Sequence, residues 1–150
     1  MMTLNQNIQK RYGDAGQKWL AALPTLQAKL ALKYKLADLK PIANMGFCYV
    51  ASGRQNNTPI VLKLGFEEKA MANEASCLEA FSHYGTCKLL ASEPGMILMQ
   101  KANPGTTLEE YFPDRGKQTV NILCQSIQEL QKAEIPKQHN FLPLKKTYLI

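Results

Sequence analysis

From residue 47 to residue 100 the run of β-prone segments is interrupted by helical spacing only once, and this constrains the fold more than any other feature of the chain. Two short β-prone segments come first, Phe47, Cys48, Tyr49, Val50, Ala51 and then Ile60, Val61, Leu62, Lys63, Leu64, separated by a polar stretch over residues 52–59. Residues 67–84 are rich in helix formers, with Ala70, Ala75, Leu78 and Phe81 at the spacing of a buried face. Two further β-prone segments follow at 87–91 and 96–100, joined by Ser92, Glu93, Pro94 and Gly95. Strands joined by short turns pair antiparallel. A parallel sheet would need a helix between every pair of strands. The expected class is therefore α+β, and a doubly wound nucleotide-binding sheet is excluded.

The flanks complete the element order. Residues 17–36 carry Trp19, Leu20, Leu23, Leu26, Leu30, Leu32 and Leu36 near helical spacing, with Lys18, Lys29, Lys33 and Lys35 between them. Pro24 is expected to start a second helix there, because the first turn does not use the donor that proline lacks. A short strand is expected around residues 40–45, and the polar stretch 52–59 reads as a loose hairpin loop. Asn103, Pro104 and Gly105 break the pattern before a helical patch at 107–112. Residues 117–133 then place Val120, Ile122, Leu123, Ile127 and Leu130 at helical spacing, and the sequence closes with FLPLKKTYLI. The order is helix, three strands, helix, two strands, linker, helix, with no internal repeat.

The 150 residues, 45% hydrophobic and 20% charged, suit one compact domain. No apolar run approaches the roughly 18 residues of a bilayer span, and the opening MMTLNQNIQK lacks the apolar core of a signal peptide, so a cytoplasmic location and no membrane partner are expected. Cys48, Cys77, Cys87 and Cys124 show neither a CxxC pair nor a histidine at metal-ligand spacing. They read as reduced, mostly buried thiols, the competing reading being a disulfide framework in an exported protein. The net charge of +6 is concentrated at the two ends of the chain. It permits a polyanionic partner, but the basic residues form no run and few aromatics lie among them, so nucleic acid is not the expected one.

Lys63 is the residue that carries most information about chemistry. A lysine inside an apolar strand either reaches the solvent-facing side of a sheet or meets an anion in a cleft. Eleven residues later the helix-forming segment brings Glu74, in Asn73, Glu74, Ala75.

This order, with a glycine-containing turn at Asn44, Met45, Gly46 and Phe47 before it and the segment from Met96 to Gly105 after it, resembles the small lobe of the protein-kinase-like fold. Within that superfamily the chain is most similar to the aminoglycoside phosphotransferases, in particular the streptomycin and hydroxyurea kinase branch. Four segments carry the likeness: Trp19-Leu20-Ala21-Ala22-Leu23-Pro24, Val61-Leu62-Lys63-Leu64-Gly65-Phe66, Asn73-Glu74-Ala75 with Leu78, and Ile97-Leu98-Met99-Gln100-Lys101-Ala102-Asn103-Pro104-Gly105-Thr106-Thr107-Leu108. The resemblance spans residues 12–136. It implies N-terminal helices over 1–38, a small lobe over 39–102 with about five antiparallel strands and one packed helix, and a linker with the first helix of a second, helical lobe over 103–150.

The same resemblance implies an ATP site. Lys63 would bind phosphates and Glu74 would hold it in place; Gly46 and Phe47 would belong to the turn that covers the phosphates. Backbone groups from Gln100 to Ala102 would meet adenine, and Val50, Val61 and Met99 would wall the base. The turn departs from GxGxxG, since Gly46 is its one glycine. Phosphoryl transfer also needs a carboxylate for the acceptor hydroxyl and oxygen ligands for magnesium, which the family takes from an HxD segment, a following Asn and a later Asp of its second lobe. His83 and His139 begin no HxD, and Asp114 is the one aspartate after Glu74. The expectation is a truncated antibiotic kinase that binds nucleotide, offers no catalytic residue and no protein ligand for magnesium, and does not catalyse by itself. The alternatives are one part of a split kinase, which requires ATP binding and whose large lobe is encoded separately, and a basic interaction module without a nucleotide site. The apolar face that a missing lobe leaves open predicts self-association or a partner.

Overall fold

A computed structural model describes residues 3–43, 45–114, 116–134 and 136. The chain runs α1 (Leu4–Tyr34), β1 (Leu36–Pro41), β2 (Cys48–Gln55), β3 (Thr58–Gly65), α2 (Glu68–Ala80), β4 (Leu89–Glu93), β5 (Met96–Gln100), α3 (Leu108–Tyr111) and α4 (Gly116–Leu130). The five strands form one sheet in the order β1-β2-β3-β5-β4, every neighbouring pair antiparallel. The α+β class expected from one helix among β-prone segments is the class observed.

The helical region is longer than the pattern indicated and bends elsewhere. Thr3 caps α1 and exchanges hydrogen bonds with Gln6: the Gln6 amide donates to Thr3 Oγ1 at 3.4 Å and the Thr3 amide donates to Gln6 Oε1 at 2.9 Å. The expected break at Pro24 is replaced by one at Gly13 (φ 54, ψ −135), with Pro24 inside the second arm. Glycine alone enters that conformation without strain. The bend lays the first arm against the second, and Gly16 permits the contact: a Cβ there would lie 2.7 Å from Ile8 Cγ2 and 2.9 Å from the Ile8 carbonyl oxygen.

Strands β2 and β3 extend to a tight turn at Asn56 and Asn57, so most of the expected loose loop is sheet. Asn56 (φ 53) adopts the left-handed conformation that asparagine tolerates. The first strand lies earlier than residues 40–45, because Lys35 ends α1 in the left-handed region (φ 53, ψ 48) and releases Leu36 directly into β1. Helix α2 is shorter than residues 67–84 at its C-terminal end. It buries Met71 and Ala75, leaving Ala70 exposed. Strand β4 begins at Leu89 rather than Cys87. All four cysteines are free thiols; Cys48, Cys77 and Cys87 are half-buried, whereas Cys124 is exposed, against the expectation of mostly buried thiols.

Alternation along the strands divides the core between the two faces of the sheet. One face presents Ile60, Leu62, Leu64, Met96 and Leu98, packed under Leu4, Ile8, Leu23 and Leu30 of α1. The other presents Ile97, which meets Met71 and Ala75 of α2, with Cys48, Leu78, Leu89 and Met99 around them. Helix α4 buries none of its residues and exposes Val120, Leu123 and Ile127. The closing FLPLKKTYLI lies outside the described residues. Among the described residues no helix is long and apolar enough to cross a membrane.

Candidate functional site

Lys63 stands on the α2 face because Leu62 and Leu64, its neighbours in β3, point into the α1 core. Burying this ammonium without an anion would be costly, and α2 supplies the anion. Met71 and Ala75, one helical turn apart, fix the buried side of α2 and turn Glu74 toward the sheet. Lys63 Nζ lies 2.6 Å from each oxygen of the Glu74 carboxylate, with the lysine side chain 23% and the glutamate side chain 38% exposed. The pair is screened from water only in part, so it remains open to a further anion.

The register places the proposed apolar wall beside this pair. Val50 is directly opposite Lys63, and Val61 is directly opposite Met99. All four therefore share the α2 face. Met99 packs against the α2 core, whereas partly buried Val50 and Val61 belong to neither core cluster and adjoin the ammonium on the same face. Gly46 and Phe47 enter β2 at the end of the same face, where Cys48 pairs with Gly65 two residues beyond Lys63. Burial is the main influence on the Cys48 thiol and raises its pKa, with Lys63 opposing and Glu74 and Glu67 adding to the shift. A neutral thiol thus lies close to the ion pair.

Gln100 and Ala102 line a cleft of about 390 Å³ together with Lys88 and Lys101. The Gln100 amide donates to the Lys88 carbonyl at 2.9 Å and the Lys101 amide to the Pro59 carbonyl at 3.0 Å. Among the described residues the Ala102 amide has no partner, which leaves it as the donor available to a ligand in this segment. A larger cleft of about 800 Å³ opens at the edge of the α1 face between Leu20, Pro24, Pro41 and Tyr49. Met45 of the glycine-containing turn lines it, but Lys63, Glu74, Gly46, Phe47, Val50, Val61, Met99, Gln100 and Ala102 do not. Among the described residues no three His, Cys, Asp or Glu side chains gather in a group suited to a metal ion.

The structure also contains a contact that the sequence reading missed. Arg11 and Tyr12, on the first arm of α1, both reach Glu67 at the start of α2: Arg11 Nη2 lies 3.1 Å from Glu67 Oε1, and the Tyr12 hydroxyl donates to the same oxygen at 2.5 Å. Its signals were present as the Thr3-x-x-Gln6 capping pattern, the glycines at 13 and 16, and the spacing of Leu4, Ile8 and Tyr12. Neither a comparison with protein-family models nor a search of the curated proteins finds a match to this chain.

Proposed function

We propose that this chain is the nucleotide-binding small lobe of an aminoglycoside-phosphotransferase-like kinase, which binds ATP and does not transfer its phosphoryl group unaided. The observation that carries this reading is the Lys63–Glu74 ion pair beside the partly buried Val50 and Val61 on one face of the sheet. A cation held by a carboxylate, with an apolar surface adjoining it, suits a ligand that has an anionic tail and an aromatic base.

In this role Glu74 orients the Lys63 ammonium toward the phosphates, and the ammonium offsets their charge. Val50, Val61 and Met99 contact the base, whose polar edge receives the Ala102 amide. Gly46 and Phe47 lie along the phosphates. Magnesium would supply Lewis-acid charge neutralisation at the phosphates. The donors the family uses for it have no counterparts in this sequence, and no step is derived through the ion.

Calorimetric titration of the chain with ATP tests the reading. Lys63→Ala is expected to weaken binding by about 1 to 3 kcal/mol, the range of charge-assisted contacts. An unchanged affinity removes Lys63 from the site, and no binding by the unaltered chain overturns the reading. With magnesium, ATP and streptomycin present, the chain is expected to consume no ATP above a buffer blank. Clear turnover would refute its inactivity.

A further inference from the structure

The first arm of α1 presents two adjacent stripes. Leu4 and Ile8 are buried over the sheet, and Tyr12 continues their row against the ring of Phe66, with ring centroids 4.4 Å apart. Asn7 and Arg11, one turn apart, form the second stripe and face the segment that precedes β2. Asn7 Nδ2 donates to the Gly46 carbonyl at 3.1 Å, and the Arg11 guanidinium lies 5.3 Å from the centre of the Phe47 ring. The same guanidinium pairs with Glu67.

Glu67 is the residue at which α2 begins. Its side chain makes no capping bond to its own helix and is given instead to Arg11 and Tyr12. Arg11 thus joins three elements that are remote in sequence: the first arm, the Gly46–Phe47 segment and the start of the helix that carries Glu74. They meet around a small cavity of about 200 Å³. The arm reaches this junction only because the chain reverses at Gly13 and the two arms close at Gly16.

We propose that Asn7 and Arg11 are positioning residues: the first arm of α1 is a strap that fixes the Gly46–Phe47 segment relative to α2, and so relative to the Lys63–Glu74 pair. The consequence for ligand binding rests on the nucleotide reading given above; the mechanical coupling does not. A fixed Gly46–Phe47 segment favours the phosphates of a bound nucleotide and leaves the base and ribose untouched. Loss of the strap therefore weakens ATP and spares adenosine.

The test is hydrogen exchange on the full chain, alongside titration with ATP and with adenosine, for the unaltered protein, Asn7→Asp, Arg11→Ala and Arg11→Lys. Asn7→Asp keeps the shape and removes the donor, and both positions lie near the surface, so these variants are expected to fold. Amides of residues 46–50 and 67–72 should exchange about fivefold faster in Arg11→Ala, with those of β4 and β5 unchanged. ATP affinity should fall about fivefold while adenosine affinity holds, and Arg11→Lys should recover part of both effects. Unchanged exchange at 46–50 overturns the strap. So does faster exchange spread equally over β4 and β5, which a merely structural role would give. If the unaltered chain binds ATP and the variants bind it equally well, the positioning role fails while the nucleotide reading stands. If the unaltered chain binds no ATP, the nucleotide reading fails and the exchange pattern alone decides the strap.

Discussion

Leu62 and Lys63 are consecutive residues of one strand, and they belong to two differently built faces. The Leu62 face is sealed: Ile60, Leu62, Leu64 and Leu98 are fully buried beneath a bent helix of 31 residues. The Lys63 face is covered over part of its width by the 13 residues of α2, and it keeps an ion pair and two valines that join neither core cluster. Apolar burial scales with area, so most of the folding free energy lies on the first face. That leaves the second face free to hold a charge that a sealed core would not tolerate.

The largest expected effect is on the sealed face. Leu62→Ala should lower unfolding stability by about 3 kcal/mol, through lost burial and the cavity left behind. Lys63→Met, one position along, should change stability by less than about 1 kcal/mol, because the pair it removes is partly exposed. Urea unfolding of the two variants measures the difference directly. Equal losses would break the comparison and make the ion pair part of the stabilising core.

Gly13→Ala comes next. Its φ of 54 is strained for any residue with a Cβ, so about 1 to 3 kcal/mol of stability should be lost, although a Cβ there would meet nothing within 4 Å. The loss should also appear locally, as faster exchange at residues 46–50, since the first arm reaches the Lys63 face only through this bend. A loss confined to global unfolding would separate the bend from the site and leave the two faces independent.

Much of this was legible in the sequence. A single helical interruption among β-prone segments gave the antiparallel class. Lys63 was paired with Glu74 through the resemblance of the segment order to a kinase small lobe, since a lysine in an apolar strand can equally face solvent. The failures have physical causes. Pro24 reads as a helix start by local preference, but proline tolerated on the exposed side of a helix leaves no mark in the pattern, whereas Gly13 bends the chain and looks like any surface glycine. Helical spacing points to Ala70 although Met71 is the buried residue, because it does not distinguish neighbours where alanines crowd together. The strap depends on pairs such as Asn7 with Gly46 and Arg11 with Phe47 and Glu67, far apart in sequence, which local reading does not reach.

The smallest effect concerns the far end of α1, which ties the sealed face to the edge strand β4. Lys33 Nζ lies 2.8 Å from Glu93 Oε1, and the Tyr34 hydroxyl donates to the same oxygen. The hydrogen bond from Lys33, seconded by that from Tyr34, holds the Glu93 carboxyl below its ordinary range. The bond to Glu93 likewise raises both Lys33 and Tyr34 above theirs. A lowered carboxylate contributes stability that is present above its ordinary value and lost as pH falls through the folded value. The raised lysine and tyrosine contribute below their ordinary values and lose it as pH rises through the folded ones. Glu93→Gln should therefore cost a little stability at neutral pH and flatten both the acid and the alkaline limbs of a plot of Tm against pH. Water screens these exposed groups, so the change should be the smallest of the three. Limbs that keep their slope in the variant would show that α1 is held on this edge by its apolar contacts alone.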